Sequence, residues 1–178
     1  MSKNTAFGGN SHYQDFKSEG KRVIVEDDSE SLIKWLEQLK SDEPILVQQA
    51  AAVCYSIGDM APHLFKPHQK SLIEVLKNDI HPSGPRFIYR LLTSIKIEKV
   101  HQGEIIDLAF KALAKPTSPV AIQVFAMTVI ANHIPLYPGL AIELEATLAT
   151  SYSKGTPGYK SRAKKIARAH GLRLVEKP

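Results

Sequence analysis

Four prolines at predicted helix starts constrain the fold of this chain more than any other feature of its sequence. They are Pro44, Pro85, Pro119 and Pro157. Successive members are 41, 34 and 38 residues apart, and each follows a residue that can cap a helix by one or two positions. Those capping residues are Asp42, Ser83, Ser118 and Thr156. Proline suits the first turn of a helix because the N–H that it lacks would have no partner there. The spacing therefore predicts a unit of two helices, repeated along the chain.

The stretch from Thr117 to Tyr152 shows the predicted unit most completely. After Ser118, apolar residues recur at steps of three and four until little polar surface remains. Pro135 and the pair Pro138-Gly139 interrupt the chain, and leucines at every fourth position then begin a second, more polar helix. A short link makes the two helices antiparallel neighbours. We therefore predict a helical hairpin whose first helix is the more buried.

Two all-α architectures could bury these apolar stripes. A closed helical bundle predicts comparable stripes on all of its helices. In this sequence the proline-initiated helices are consistently more apolar than the helices that follow them, as in an array whose hairpins cover one another. The favoured fold class is an all-α solenoid of about three helical hairpins plus flanking helices.

The domain boundaries are predicted from composition. Residues 1–28 have no helical period and contain Gly8-Gly9 and Gly20, so we expect a flexible N-terminal tail there. Its short apolar run, Val23-Ile24-Val25, could form an extended segment against the domain. Residues 29–178 are predicted to form a single helical repeat domain, since 178 residues with 43% hydrophobic content suit one core.

The expected location is the cytoplasm. Cys54 is the single cysteine and can form no internal disulfide, and the first residues lack the apolar run of a signal peptide. The most apolar segment, from Val120 to Ile134, is interrupted by polar residues, so no membrane span is predicted. We expect a monomer.

The segments SPVAIQVFAMTVIANH and TPGYKSRAKKIARAHG resemble the first helices of HEAT repeats. Residues 42–171 as a set resemble short bacterial HEAT-like (armadillo-type) repeat proteins, some of which carry the label adenylosuccinate lyase. The mobile-loop pattern of that lyase superfamily, Ser-Ser-x-Met-Pro-x-Lys-x-Asn, has no counterpart in this sequence. We therefore reject the label. The resemblance implies HEAT-like hairpins and carries over no catalytic residue.

A search of the residues for chemistry gives the same negative prediction. The seven histidines are scattered singly, and no two lie three or four residues apart with a carboxylate between them. His133 and His170 end apolar stripes, where a histidine bonded to a nearby carbonyl is the usual explanation. Cys54 lies among alanines and is read as a small core residue. We predict a non-catalytic protein without a metal site or a cofactor.

The C-terminal helix carries a candidate basic ridge. Residues 152–178 hold eight basic residues and one acidic residue, which leaves 15 minus 17, or −2, for residues 1–151. The ridge is Lys160, Arg162, Lys164, Lys165 and Arg168. Such a ridge could neutralise nucleic-acid phosphates or meet an acidic protein. A structural explanation is also open, because a terminal helix needs a polar outer face and its cations suit a helix C-terminus.

A second candidate surface is a concave face lined by the second helices of the hairpins. Its residues are Lys70, Glu74, Lys77, Glu104, Asp107, Lys111 and Glu143. Their mixed charge suits a protein partner. The leading hypothesis is therefore a scaffold that binds an unknown protein or peptide, and the alternative is nucleic-acid binding through the basic ridge.

Overall fold

The computed structural model describes the backbone of residues 9–174 and the side chains of residues 15–174. Regular secondary structure within these residues is helical throughout. The helices are α1 Gly9–Val25, α2 Ser29–Gln38, α3 Pro44–Met60, a 3₁₀ helix Pro62–His68, α4 Gln69–Lys77, α5 Ser83–Leu92, α6 Lys99–Ala114, α7 Val120–His133, α8 Gly139–Ser151 and α9 Pro157–His170. They form two compact units, the first ending at Phe87 and the second beginning at Ile88. The single domain over residues 29–178 stays a prediction.

Helix α1 corrects the prediction of a flexible tail over residues 1–28. It packs on α3, and Gly20 and Val23 are buried. The approach of the two helices is close enough that the Ser56 hydroxyl donates a hydrogen bond to the carbonyl of Lys17, at 3.2 Å. Packing on α3 stabilises α1 as a helix, although its own glycine-containing sequence does not indicate one. Residues 1–8 of the predicted tail lie outside the described residues.

A cluster around Arg22 joins the end of α1 to the start of α2. The guanidinium donates to the carboxylates of Glu19, Glu26 and Asp28, at 2.7 to 2.9 Å. Asp28 also caps α2 by accepting a hydrogen bond from the N–H of Ser31 at 2.9 Å. Hydrogen bonds from the hydroxyl and N–H of Ser31, and then from Arg22, lower the pKa of Asp28. The turn before the cap is closed by Asp27, whose φ is 50°.

Helix α3 is the centre of the first unit and contacts both α1 and α2. Pro44 is its first residue, as predicted, but the preceding cap position is Glu43 and not Asp42. Cys54 is fully buried on α3, which confirms its assignment to the core. Lys40, in the turn after α2, forms an ion pair with Glu74 of α4 at 2.9 Å.

Helix α7 is the centre of the second unit and contacts α6, α8 and α9. It has seven buried residues whereas α8 has two, which confirms that the first helix of this hairpin is the more buried. Pro119 occupies the cap position of α7, so the expected cap by Ser118 was wrong. Buried His133 donates from Nδ1 to the Val129 carbonyl at 2.8 Å, as its position at the end of a stripe predicted.

The hydrogen bonds of Gln102 and the two caps of α9 stabilise the ends of helices in the second unit. Buried Gln102 donates to the Ile97 carbonyl at 3.0 Å and accepts from the Tyr137 hydroxyl at 2.7 Å, which joins α6 to the α7–α8 link. Thr156 caps α9, and Gly171 ends it with a φ of 68°, as the sequence predicted.

Candidate functional site

The basic ridge lies on α9, whose opposite face is packed in the core. The packed face consists of Tyr159, Ala163, Ile166 and Ala167. Lys164, Lys165 and Arg168 are exposed, whereas Lys160 and Arg162 are partly buried. Lys160, Lys164 and Arg168 follow one another at single-turn steps of about 6 Å along the axis. The helix contains no acidic residue.

The ridge cations differ from Arg22 and Lys40 of the first unit in their electrostatic surroundings. Arg22 and Lys40 in the first unit are held by carboxylates, whereas no ridge cation forms an ion pair with any residue that the structure describes. Lys160 instead places Nζ 5.8 Å from the centroid of the Tyr152 ring. Glu145 of α8 accepts the backbone N–H of Arg173 at 2.6 Å, beyond the end of α9. The positive charge of the ridge is therefore left uncompensated by the described side chains.

The aromatic residues beside the ridge are not available for stacking. Tyr152 has 4% of its surface exposed and Tyr159 has 1%. The Tyr159 ring is part of the core, and burial raises its pKa. The exposed large apolar side chains of the described chain all precede α9, the last being Ile142. The ridge surface is consequently charged but not apolar.

The predicted concave-face residues fall in both units. Lys70 and Lys77 are exposed on α4, but the Glu74 carboxylate between them binds Lys40, and this hydrogen bond lowers the pKa of Glu74. In the second unit α6 and α8 are in contact and expose the remaining candidates. We call this surface the α6–α8 face; its charged residues are Glu104, Asp107, Lys111 and Glu143.

Two exposed aliphatic side chains on the α6–α8 face were not anticipated. Val100 on α6 is 79% exposed and Ile142 on α8 is 78% exposed. Both positions lie off the apolar stripes of their helices, which was the one signal in the sequence that could have revealed them. The face therefore combines aliphatic surface with three carboxylates and one ammonium group.

The described residues offer little for metal or nucleophilic chemistry. Within residues 15–174 no three histidine, cysteine or acidic side chains form a group that could hold a metal ion. Burial raises the pKa of the Cys54 thiol, which keeps it protonated. None of the described helices combines the length and apolar character required to cross a membrane.

Comparison with known proteins identifies the repeat. The family model for the HEAT repeat domain matches residues 19–170, from α1 to the end of α9. No curated protein and no solved structure matches the chain. Together with the helical secondary structure, the match confirms the predicted fold class, an all-α solenoid of HEAT-like hairpins. The chain belongs to the HEAT repeat domain family.

Proposed function

We propose that this protein is a non-catalytic scaffold that binds a protein or peptide on the α6–α8 face. The observation that carries the proposal is the pair of exposed aliphatic side chains, Val100 and Ile142, on two helices in contact. Exposed apolar surface rimmed by polar groups is typical of protein-binding sites, since covering it removes apolar area from water. The HEAT repeat family supports the scaffold assignment.

The charge of the face indicates the kind of partner. The same two helices expose three carboxylates, those of Glu104, Asp107 and Glu143, and one ammonium group, that of Lys111. A net charge of 1 − 3, or −2, attracts a partner segment that presents basic residues beside aliphatic ones. The proposal includes a monomeric protein in the cytoplasm, which sedimentation and cell fractionation would test.

Affinity capture with matched variants tests this function. Val100→Lys with Ile142→Lys places two cations on the face, which should remove specific partners from eluates of the cells that produce the protein. The control is Val25→Lys with Ile45→Lys, which adds the same charge at aliphatic positions that are 84% and 61% exposed in the first unit. Loss of the same partners from both variants, or from neither, would contradict the assignment to the α6–α8 face.

Nucleic-acid binding through the basic ridge is the second candidate function. It is favoured by one observation, the lack of ion pairs at Lys160, Arg162, Lys164, Lys165 and Arg168 within the described residues. Unpaired surface cations attract polyanions because binding releases the counterions that those polyanions hold.

A further inference from the structure

We infer that the basic ridge binds the phosphate backbone of double-stranded nucleic acid without stacking on its bases. This inference rests on the second candidate function and specifies the ligand of the same surface.

The charge pattern of α9 suits a linear polyanion. Lys160, Lys164 and Arg168 form a row along the helix, and Lys165 lies beside it. A row of cations on a rigid helix holds positive charge at fixed intervals, so that each cation can meet a different phosphate. The helix is held at both ends, by the Thr156 cap and by Gly171, so the row does not have to be ordered on binding.

The surroundings of the row argue against a protein as its ligand. Protein interfaces gain most of their affinity from a few aromatic, aliphatic or arginine anchors that become fully desolvated. The exposed large apolar residues of the described chain end at Ile142, and none lies on α9. Without an exposed aromatic or aliphatic anchor, the ridge offers only the charge of its lysines and arginines, which is sufficient for phosphate backbones.

The burial of the two nearby tyrosines favours a duplex over a single strand as the ligand of the ridge. Proteins that bind single strands without sequence preference combine a basic groove with aromatic side chains on which bases stack. Tyr152 and Tyr159, the two aromatic residues nearest the ridge in sequence, are 4% and 1% exposed and cannot present their ring faces to a base. A duplex needs no such platform because its bases are already stacked. Its charge density along the axis is also higher than that of one strand.

Fluorescence anisotropy with a short labelled duplex and with each of its separate strands tests the inference. We expect the duplex to bind more tightly than either strand. If three or four phosphates are neutralised, raising the salt from about 50 to about 200 mM should weaken duplex binding about 40- to 150-fold. An unlabelled poly-glutamate competitor tests the acidic-protein alternative.

Matched charge reversals locate the binding. Lys164→Glu with Arg168→Glu should abolish duplex binding, whereas Lys34→Glu with Lys66→Glu changes the net charge equally at exposed positions in the first unit and should retain most of it. Circular dichroism melting checks that both variants are folded. Unchanged binding in the ridge variant, or equal loss in both variants, would overturn the assignment to the ridge.

The remaining outcomes separate this inference from the candidate function. Tighter binding of the single strands than of the duplex would refute the duplex ligand and leave nucleic-acid binding in place. No binding of any strand at about 50 mM salt would refute both. Displacement of the duplex by poly-glutamate at equal charge concentration would show a surface for acidic proteins and overturn the inference.

Discussion

Gly20 lies in the contact between α1 and α3, and a methyl group added there has no room. A Cβ at this position would lie 2.5 Å from Ser56 Oγ, 2.6 Å from Ser56 Cβ and 3.3 Å from the Val53 carbonyl oxygen. The Ser56 Cβ is bonded directly to the α3 backbone and cannot rotate away. Gly20→Ala therefore has to push the two helices apart or displace α1.

The magnitude follows from two opposing effects. Alanine is favoured over glycine in a helix by about 1 kcal/mol. Overpacking of a tight contact costs about 1–3 kcal/mol, and the rigid neighbour places this case in the upper half of that range. The net expectation is a loss of about 1–2 kcal/mol in the free energy of unfolding. For a chain of this size that corresponds to a fall of about 2–8 °C in Tm.

Thermal unfolding of Gly20→Ala and three companion variants, which are Gly103→Ala, Ser56→Gly and the double variant, measures this loss of stability. Gly103→Ala, on α6, is the matched control because a Cβ there meets nothing within 4 Å, so it should stabilise by about 0.5–1 kcal/mol. Adding Ser56→Gly to Gly20→Ala removes the clashing Cβ, so a double-mutant cycle should show a favourable coupling of about 1 kcal/mol or more. Equal stabilisation by Gly20→Ala and Gly103→Ala would refute the packing of α1 on α3.

Three further predictions follow from particular contacts. Hydrogen bonds hold the pKa of Asp28 below its ordinary value, so the stabilising effect of its charge is complete above the unfolded-state pKa of about 4 and is lost as pH falls toward the folded-state pKa. Asp28→Asn should accordingly lower Tm at neutral pH, with a difference that begins to shrink only below about pH 4 and is still present near pH 3, whereas a pH-independent difference would contradict this account. Tyr137→Phe leaves the buried Gln102 oxygen without its donor and should cost about 1–2 kcal/mol in urea unfolding, with an unchanged midpoint as the refuting result. Buried Cys54 should react with a thiol reagent only after unfolding, and rapid labelling of the native protein would show the burial to be wrong.

The helix boundaries that the sequence predicted well depend on local chemistry. Pro44, Thr156 and Gly171 act within one turn of their own position, so their roles could be inferred without knowledge of the rest of the fold. The caps assigned to Asp42 and Ser118 were wrong because the adjacent residue took the cap position in each case. Boundaries shift by one residue easily, since several neighbouring residues can begin the same helix.

The order of α1 could not be predicted because its causes are distant in sequence. Its packing depends on Ser56, and its C-terminal end is held by the charges around Arg22. The helical period of a segment depends only on the spacing of its own apolar residues, so it cannot reveal contacts with residues that are distant in sequence. The same limit applies to the candidate surfaces. The basic ridge could be predicted from the helical period of α9, whereas the exposure of Val100 and Ile142 was not predicted.

The docking of α1 determines where this chain can be shortened. A version that begins at Ser29 keeps every helix from α2 onward but uncovers the α3 surface around Val53 and Ser56. It also removes Asp28, whose carboxylate caps α2, together with Arg22, the cationic partner of that carboxylate. For the same reason, a protease that cuts within residues 26–28 should produce an N-terminal fragment that stays bound to the rest of the protein until the protein unfolds. Gene fusions and minimal versions should therefore retain α1 as part of the folded body.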